Sequence, residues 1–161
     1  RSEVSRAEYR SLRSKVNVQL ADYVAARKRV TELRPEQLDS WLMYGYAQMH
    51  TGDYDGARAS LLHAADMYTA PDETATAVFS FLHRLDVPAA FALAEAAVQR
   101  ADVGPGVLYQ AHRVFLYAGE VERAARLAIQ HNRLSIDETG SLMVSTRQAC
   151  AEGRVADAEA L

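Results

Sequence analysis

Few residues in this chain have both the type and the spacing that chemistry requires. Arg113 and Arg147 stand 34 residues apart, and two guanidinium groups brought together would grip one carboxylate or phosphate through paired N–H donors. His50 and His83 are 33 residues apart and invite a metal, but no acidic or cysteine set completes a zinc site at a recognised spacing. Neither a metal nor a cofactor is expected. Cys150 is the lone cysteine, which excludes an internal disulfide, and a reactive thiol would need an electropositive, exposed setting. Arg147 lies one helical turn from it. The chain has no phosphate-cradling glycine loop, no Gly-x-Ser-x-Gly elbow and no His-Glu-x-x-His helix. Gly104-Pro105-Gly106 reads as a turn before a helix, and Asp72 and Glu73 suit a helix start, where the macrodipole favours negative charge. The sequence reads as non-enzymatic, so the question becomes which elements place the two arginines.

Composition narrows the partners. With 49% hydrophobic and 24% charged residues among 161, the chain has the make-up of an ordinary globular protein. A formal net charge of −3 offers no bulk basic surface, so nucleic acid is not expected. The most apolar stretch, 87–98, contains Pro88 and Glu95 and is too short to cross a bilayer. Lys15 and Lys28 are the only lysines among 18 basic residues, which together with the many alanines fits a GC-rich bacterial genome. The sequence opens on Arg1 without a charged-then-apolar leader, so the native N-terminus is expected to lie upstream. The compartment, cytoplasmic or periplasmic, stays open.

The positioning elements emerge from an internal period. Ala26, Ala57, Ala90, Ala124 and Ala158 follow one another at 31, 33, 34 and 34 residues, a spacing typical of stacked helix pairs. Three residues before each stands Tyr23, Tyr54, Val87, Val121 or Val155, expected to share the alanine's face and pack inward. Gly52, Gly119 and Gly153 mark turns at the same phase. Leu61 and Ala64 continue the stripe in one unit, and Ala94, Ala97 and Val98 in the next. Pro35, Pro71 and Pro105 fall near helix starts, where a missing N–H is tolerated, and Asp86 is a plausible cap before Pro88. These signals predict an all-α chain of helix pairs at 4–18 and 20–33, 36–50 and 54–68, 72–84 and 87–101, 105–118 and 121–132, and 137–151 and 155–161.

Trp41-x3-Gly45-x-Ala47, followed by Gly52-Asp53-Tyr54-x2-Ala57-x3-Leu61-x2-Ala64, resembles the tetratricopeptide repeat (TPR) family of 34-residue helix-turn-helix units. Tyr44 and Gln48 stand where that family has leucine and an aromatic, Leu85 replaces a turn glycine, and the first repeat is three residues short. The resemblance implies one TPR-like domain over 1–161, a right-handed α-solenoid superhelix of about ten antiparallel helices. Its repeats would run 4–34, 35–70, 71–104, 105–136 and 137–161, the last truncated within a longer native chain. Members of the family generally lack catalysis and bind peptides, helices or partner domains on a concave wall lined by the first helix of each pair, a surface that stacking creates.

Carried onto this sequence, the wall takes Asp39, Leu42, Tyr46, Met49 and His50 from the second repeat, and Asp72, Ala75, Phe79, Leu82 and His83 from the third. The fourth gives Tyr109, Arg113, Leu116 and Tyr117, and the fifth Met143, Arg147 and Cys150. Tyr, Met and Arg are enriched at interfaces, so a protein or peptide partner is expected, with Leu42, Met49, Leu82 and Leu116 becoming core residues if the register slips by one. His63, His112 and His131 read as surface or packing residues. Ser11 and Met43 stand where a chaperone-tail clamp would need polar donors, which leaves Lys15 alone and disfavours that ligand. Two other readings stay open: a periplasmic segment of bacterial polysaccharide secretion or outer-membrane assembly, with polysaccharide as a contact, and a regulatory region of a larger enzyme. Residues 137–161 are expected to fray, to dock on another molecule or to self-associate. With its ring buried between helices, Trp41→Ala is expected to cost about 3–5 kcal/mol, checked by denaturant unfolding.

Overall fold

Three aspartates set where helices begin. Asp53 accepts from Gly56 N at 3.0 Å, Asp86 from Ala89 N at 3.0 Å and Asp137 from Thr139 N at 3.1 Å, each satisfying a backbone donor that has no partner inside its helix. The computed structural model describes residues 19–68 and 73–160, with side chains from residue 76 in the second stretch. Among the described residues there are helices and turns and no strand. Helix α1 covers 19–33; α2 is Leu38–Thr51, α3 Tyr54–Asp66, α4 Glu73–Leu82, α5 Val87–Val98, α6 Pro105–Tyr117, α7 Val121–Leu134, α8 Glu138–Ala151 and α9 Val155–Ala160. The pairs from α2 to α9 sit at the positions that the repeat predicts. The helix expected at 4–18, with Ser11 and Lys15, lies outside the described residues, as do Pro71 and Asp72.

Helix ends follow the glycines. Gly52, Gly119 and Gly153 hold φ of 83°, 80° and 75°, the left-handed region that a Cβ penalises. After each, the next residue's N–H reaches five residues back: Asp53 to Gln48 O, Glu120 to Phe115 O and Arg154 to Ala149 O, at 2.8–3.1 Å. This is the Schellman closure. Where Leu85 replaces glycine the chain solves the problem differently. Leu85 N and Asp86 N both donate to Leu82 O, at 2.9 and 2.8 Å, no left-handed residue is used, and α4 stops at Leu82 rather than at the expected residue 84.

The chain divides into two compact units, Arg1–Met67 and Tyr68–Leu161. In the first, α2 packs on α3 with Leu42, Ala47, Ala57, Leu61 and Ala64 buried. Gly45 permits the close approach: a Cβ there would lie 3.0 Å from Leu61 Cγ and 3.2 Å from Ala57 O. Gln48 is buried with its amide satisfied. Its Nε2 donates to Asp53 Oδ2 at 2.9 Å, and its Oε1 accepts from Ser60 Oγ at 2.7 Å.

In the second unit α4 packs on α5 and α6, α6 on α5, α7 and α8, and α8 on α7 and α9. Its interior holds Val78, Phe79, Leu82, Leu108, Ala111, Val114, Phe115 and Val144. Arg123 lies over the rings of Phe91 and Phe115, at 5.3 and 4.9 Å, and pairs with Glu95, so α7 is tied to α5 and α6 by one guanidinium that is both stacked and charge-compensated.

Three sequence expectations need correction. The anchor alanines are completely buried at Ala57, Ala90 and Ala124, but Ala26 is exposed and Ala158 half-buried. The residues three before the anchors do not all pack inward: Tyr54 and Val155 are 60% and 56% exposed, and Tyr23 is exposed as well. Tyr54 and Val155 each open a helix, as do the half-buried Val87 and Val121, whereas Tyr23 lies inside α1. Trp41 is also only half-buried. Its Nε1 donates to Pro35 O at 2.9 Å and its ring meets His63 edge-on at 4.3 Å. The cost of Trp41→Ala therefore falls to about 2–3 kcal/mol. Gly45→Ala tests the α2–α3 approach more sharply. The helix-propensity gain of about 1 kcal/mol is outweighed by overpacking against a backbone oxygen, and a net loss of about 1–2 kcal/mol in chemical denaturation is expected. A stabilised Gly45→Ala protein would show that the two helices are not in close contact there.

Candidate functional site

Helix periodicity puts Tyr109, Arg113, Leu116 and Tyr117 along one flank of α6, and Met143, Arg147 and Cys150 along one flank of α8. Helices α4, α6 and α8, the first members of three pairs, are neighbours in the order α4–α6–α8. Between α6 and α8 opens a cleft of about 440 Å³ lined by Arg113, Leu116, Tyr117, Thr146, Arg147 and Cys150. Five of these six come from the expected wall, and Thr146 is the addition. No motif marks Thr146; its hydroxyl donates to Leu142 O at 2.9 Å, and only the packing of α8 on α6 places it.

The two arginines are held from the side. Arg113 Nη1 donates to Gln110 Oε1 at 3.0 Å, and the Arg147 guanidinium lies 5.2 Å from the Tyr109 ring centroid. Tyr109 in turn faces His131 at 5.9 Å and points its hydroxyl at Met143 Sδ at 3.9 Å. Gln110, one turn before Arg113, could have been found from the i,i+3 rule. Among the described residues neither arginine forms an ion pair, and Arg147 Nη1 is buried without a hydrogen-bond partner. Burial, and then the Arg147 charge, lower the Arg113 pKa from its ordinary value. Two partly desolvated cations without a counter-charge make a site that attracts an anion.

The other expected wall residues divide between surface and interior. Leu42, Phe79 and Leu82 are buried at 3%, 0% and 0% exposure, so their side chains fill the packing between helices and offer no contact area to a partner. His83 is buried as well. It falls in the turn after α4, its ring 4.4 Å from that of Tyr117, with neither nitrogen hydrogen-bonded. Burial lowers its pKa, helped by the Arg113 and Arg84 charges and opposed by the Phe79 and Ser80 carbonyls. Its place is beneath Tyr117, which is 64% exposed. In the first unit Tyr46 and Met49 are half-buried, and Asp39 and His50 exposed, with the Tyr46 and His50 rings edge-to-face at 4.4 Å. Asp72 and the Ala75 side chain lie outside the described residues. Among the described residues no three His, Cys, Asp or Glu side chains come together as a metal site, and no helix is long and apolar enough to cross a membrane.

Sequence reasoning missed the polar network beside this cleft. His112 is completely buried in α6, with Nε2 3.2 Å from Gln148 Oε1. Gln148 Nε2 donates to Val121 O at 3.2 Å and to Glu152 Oε1 at 2.7 Å. The amide oxygen must therefore accept, which requires a proton on Nε2. His112 Nδ1 has no partner, and a proton there would be a buried orphan donor. No family profile matches this chain, and no significantly similar protein is found among curated proteins.

Burial lowers the His112 pKa to about 4, the Arg147 and His131 charges adding to the effect and the Gln148 bond opposing it. Because the folded value lies below the ordinary 6.5, the stability tied to the neutral ring is fully present above pH 6.5. It is lost as the pH falls toward 4, by about 3 kcal/mol at completion. His83 acts in the same direction. Unfolding measured from pH 7 to pH 4 is expected to show this loss, with a shallower slope in His112→Gln. Identical pH slopes for the two proteins would remove His112 as the cause.

Proposed function

We propose that this chain is a non-catalytic interaction scaffold of the tetratricopeptide type, its helix pairs stacked into a right-handed superhelix, and that it captures a peptide or partner segment along the first helices of its repeats. The observation that carries the reading is the cleft between α6 and α8. It is open, it is built by side-by-side first helices, and it presents Tyr117, Arg113 and Arg147, residue types that dominate interface energetics. The same face of α6 carries Tyr109, which orients one of the arginines. Helical pairing at the 34-residue register and the three left-handed glycine turns support the repeat assignment.

The geometry suits capture rather than turnover. The cleft lining contains no carboxylate or histidine to move a proton and no base beside a nucleophile, which is what acid–base or covalent chemistry would need. A random-peptide display selection against the folded chain is expected to yield a consensus. Binding of that consensus should fall about tenfold or more in Tyr117→Ala and in Arg113→Ala. Tyr117 is exposed and Arg113 half-exposed, so the melting temperature should stay within a few degrees of the parent's. Unfolding of both variants, or enrichment of no consensus, would defeat the scaffold reading.

A further inference from the structure

The charges in the α6–α8 cleft are unbalanced in a way that specifies their ligand. Four arginines outside the cleft are matched with acids, Arg29 with Glu32 at 2.9 Å, Arg100 with Asp102 at 3.1 Å, Arg154 with Glu152 and Asp157 at 2.6 and 2.7 Å, and Arg123 with Glu95, while Arg34, Arg84, Arg126 and Arg133 are exposed to water. Arg113 and Arg147 have no such partner among the described residues, and the cleft lining contains no aspartate or glutamate. Both nonetheless give up solvent, and Arg147 Nη1 is a buried donor without an acceptor. A donor left in that state costs free energy unless a ligand completes it.

The two guanidiniums are also set in place before any ligand arrives, Arg113 by Gln110 and Arg147 by the Tyr109 ring. Part of the rotamer entropy that capture would otherwise consume is thus already lost. A single carboxylate brings one negative charge and two oxygens, which leaves one of the cations uncompensated. A phosphate monoester brings about −1.5 to −2 charges near neutral pH and three acceptor oxygens. Two forked cations and the phenolic donor of Tyr117 on the same cleft match that count.

We infer that Arg113 and Arg147 form a receptor for a phosphate monoester dianion carried on a peptide, a phosphoserine or phosphothreonine lying in the α6–α8 cleft with Tyr117 at its edge. The inference rests on the scaffold reading and narrows it to partners whose capture is switched by phosphorylation. Leu116 and the aliphatic part of the lining would meet the residues flanking the phosphate.

The test follows the arginine Nε–Hε resonances of the whole chain by NMR during titration with nonapeptide pools, random except for a fixed central phosphoserine, glutamate or serine, and separately with inorganic phosphate. The phosphoserine pool is expected to shift Arg113 and Arg147 saturably and to bind about tenfold or more tightly than the glutamate pool. Arg113→Gln and Arg147→Gln should each lose about that factor, while Arg126→Gln, on the exposed side of α7, should not; thermal melts show that the variants are folded. Equal binding of the glutamate pool would overturn the dianion in favour of a carboxylate. Equal binding of the serine pool, without arginine shifts, would overturn anion recognition and leave the scaffold reading standing. Saturation by inorganic phosphate with no gain from the peptide would overturn the peptide as the source. No binding of any probe would overturn the inference, and the scaffold reading would then be judged by the display selection alone.

Discussion

The structure depends on how closely paired helices can approach. Ala57, Ala90 and Ala124 are each fully covered, and Gly45 faces Ala57 across a gap that would not admit a methyl group without movement. Small residues at these points bring two backbones together, and the large side chains above and below, Leu61 in one unit and Phe115 in the other, are then excluded from water as a consequence. Bulk at any of these points would separate the pair along its length, because a rigid helix transmits a local displacement to both ends. The positions of α6 and α8, and so the cleft, are downstream of that constraint.

Much of the fold was legible for this reason. Alanine at a fixed period, glycine in the turn and aspartate at the start are local signals, each with its own physical mechanism, and they agree with one another. The departures arise where a neighbour rather than the local sequence decides. Tyr54 and Val155 share the alanine face in projection, yet both are exposed. Leu85 has no left-handed option, and the chain closes the turn through Leu82 O instead. Pro35 stands near a helix start as expected, yet α2 opens only at Leu38, and the proline's carbonyl is taken by Trp41.

The site was legible in a different proportion. Tyr109, Arg113, Tyr117 and Arg147 were placed on one surface by register alone, since the repeat converts a 34-residue spacing into spatial adjacency. The same register puts Leu42, Phe79, Leu82 and His83 on the wall, whereas they belong to the interior. A first helix touches its own partner and the next first helix, so the boundary between wall and core moves within one residue of arc. No periodicity resolves that boundary. The His112–Gln148–Glu152 network was invisible, because a buried polar contact between α6 and α8 has no signature in either helix alone.

The two buried glutamines have a role that burial area does not describe. A seam of alanines is nearly featureless, and one small residue in it can replace another with little change in contact, so apolar packing alone would let paired helices slide by a turn. Gln48 prevents this in one unit, where its amide is met by Asp53 and Ser60. In the other unit Gln148 fixes one pair against the next, holding α8 to α6 and α7 through His112 and Val121, with Glu152 completing its amide. A displaced register would strand each amide without partners at a cost of roughly 1–3 kcal/mol. The small residues set how near the helices come, and the glutamines act as detents that set where along each other they stop.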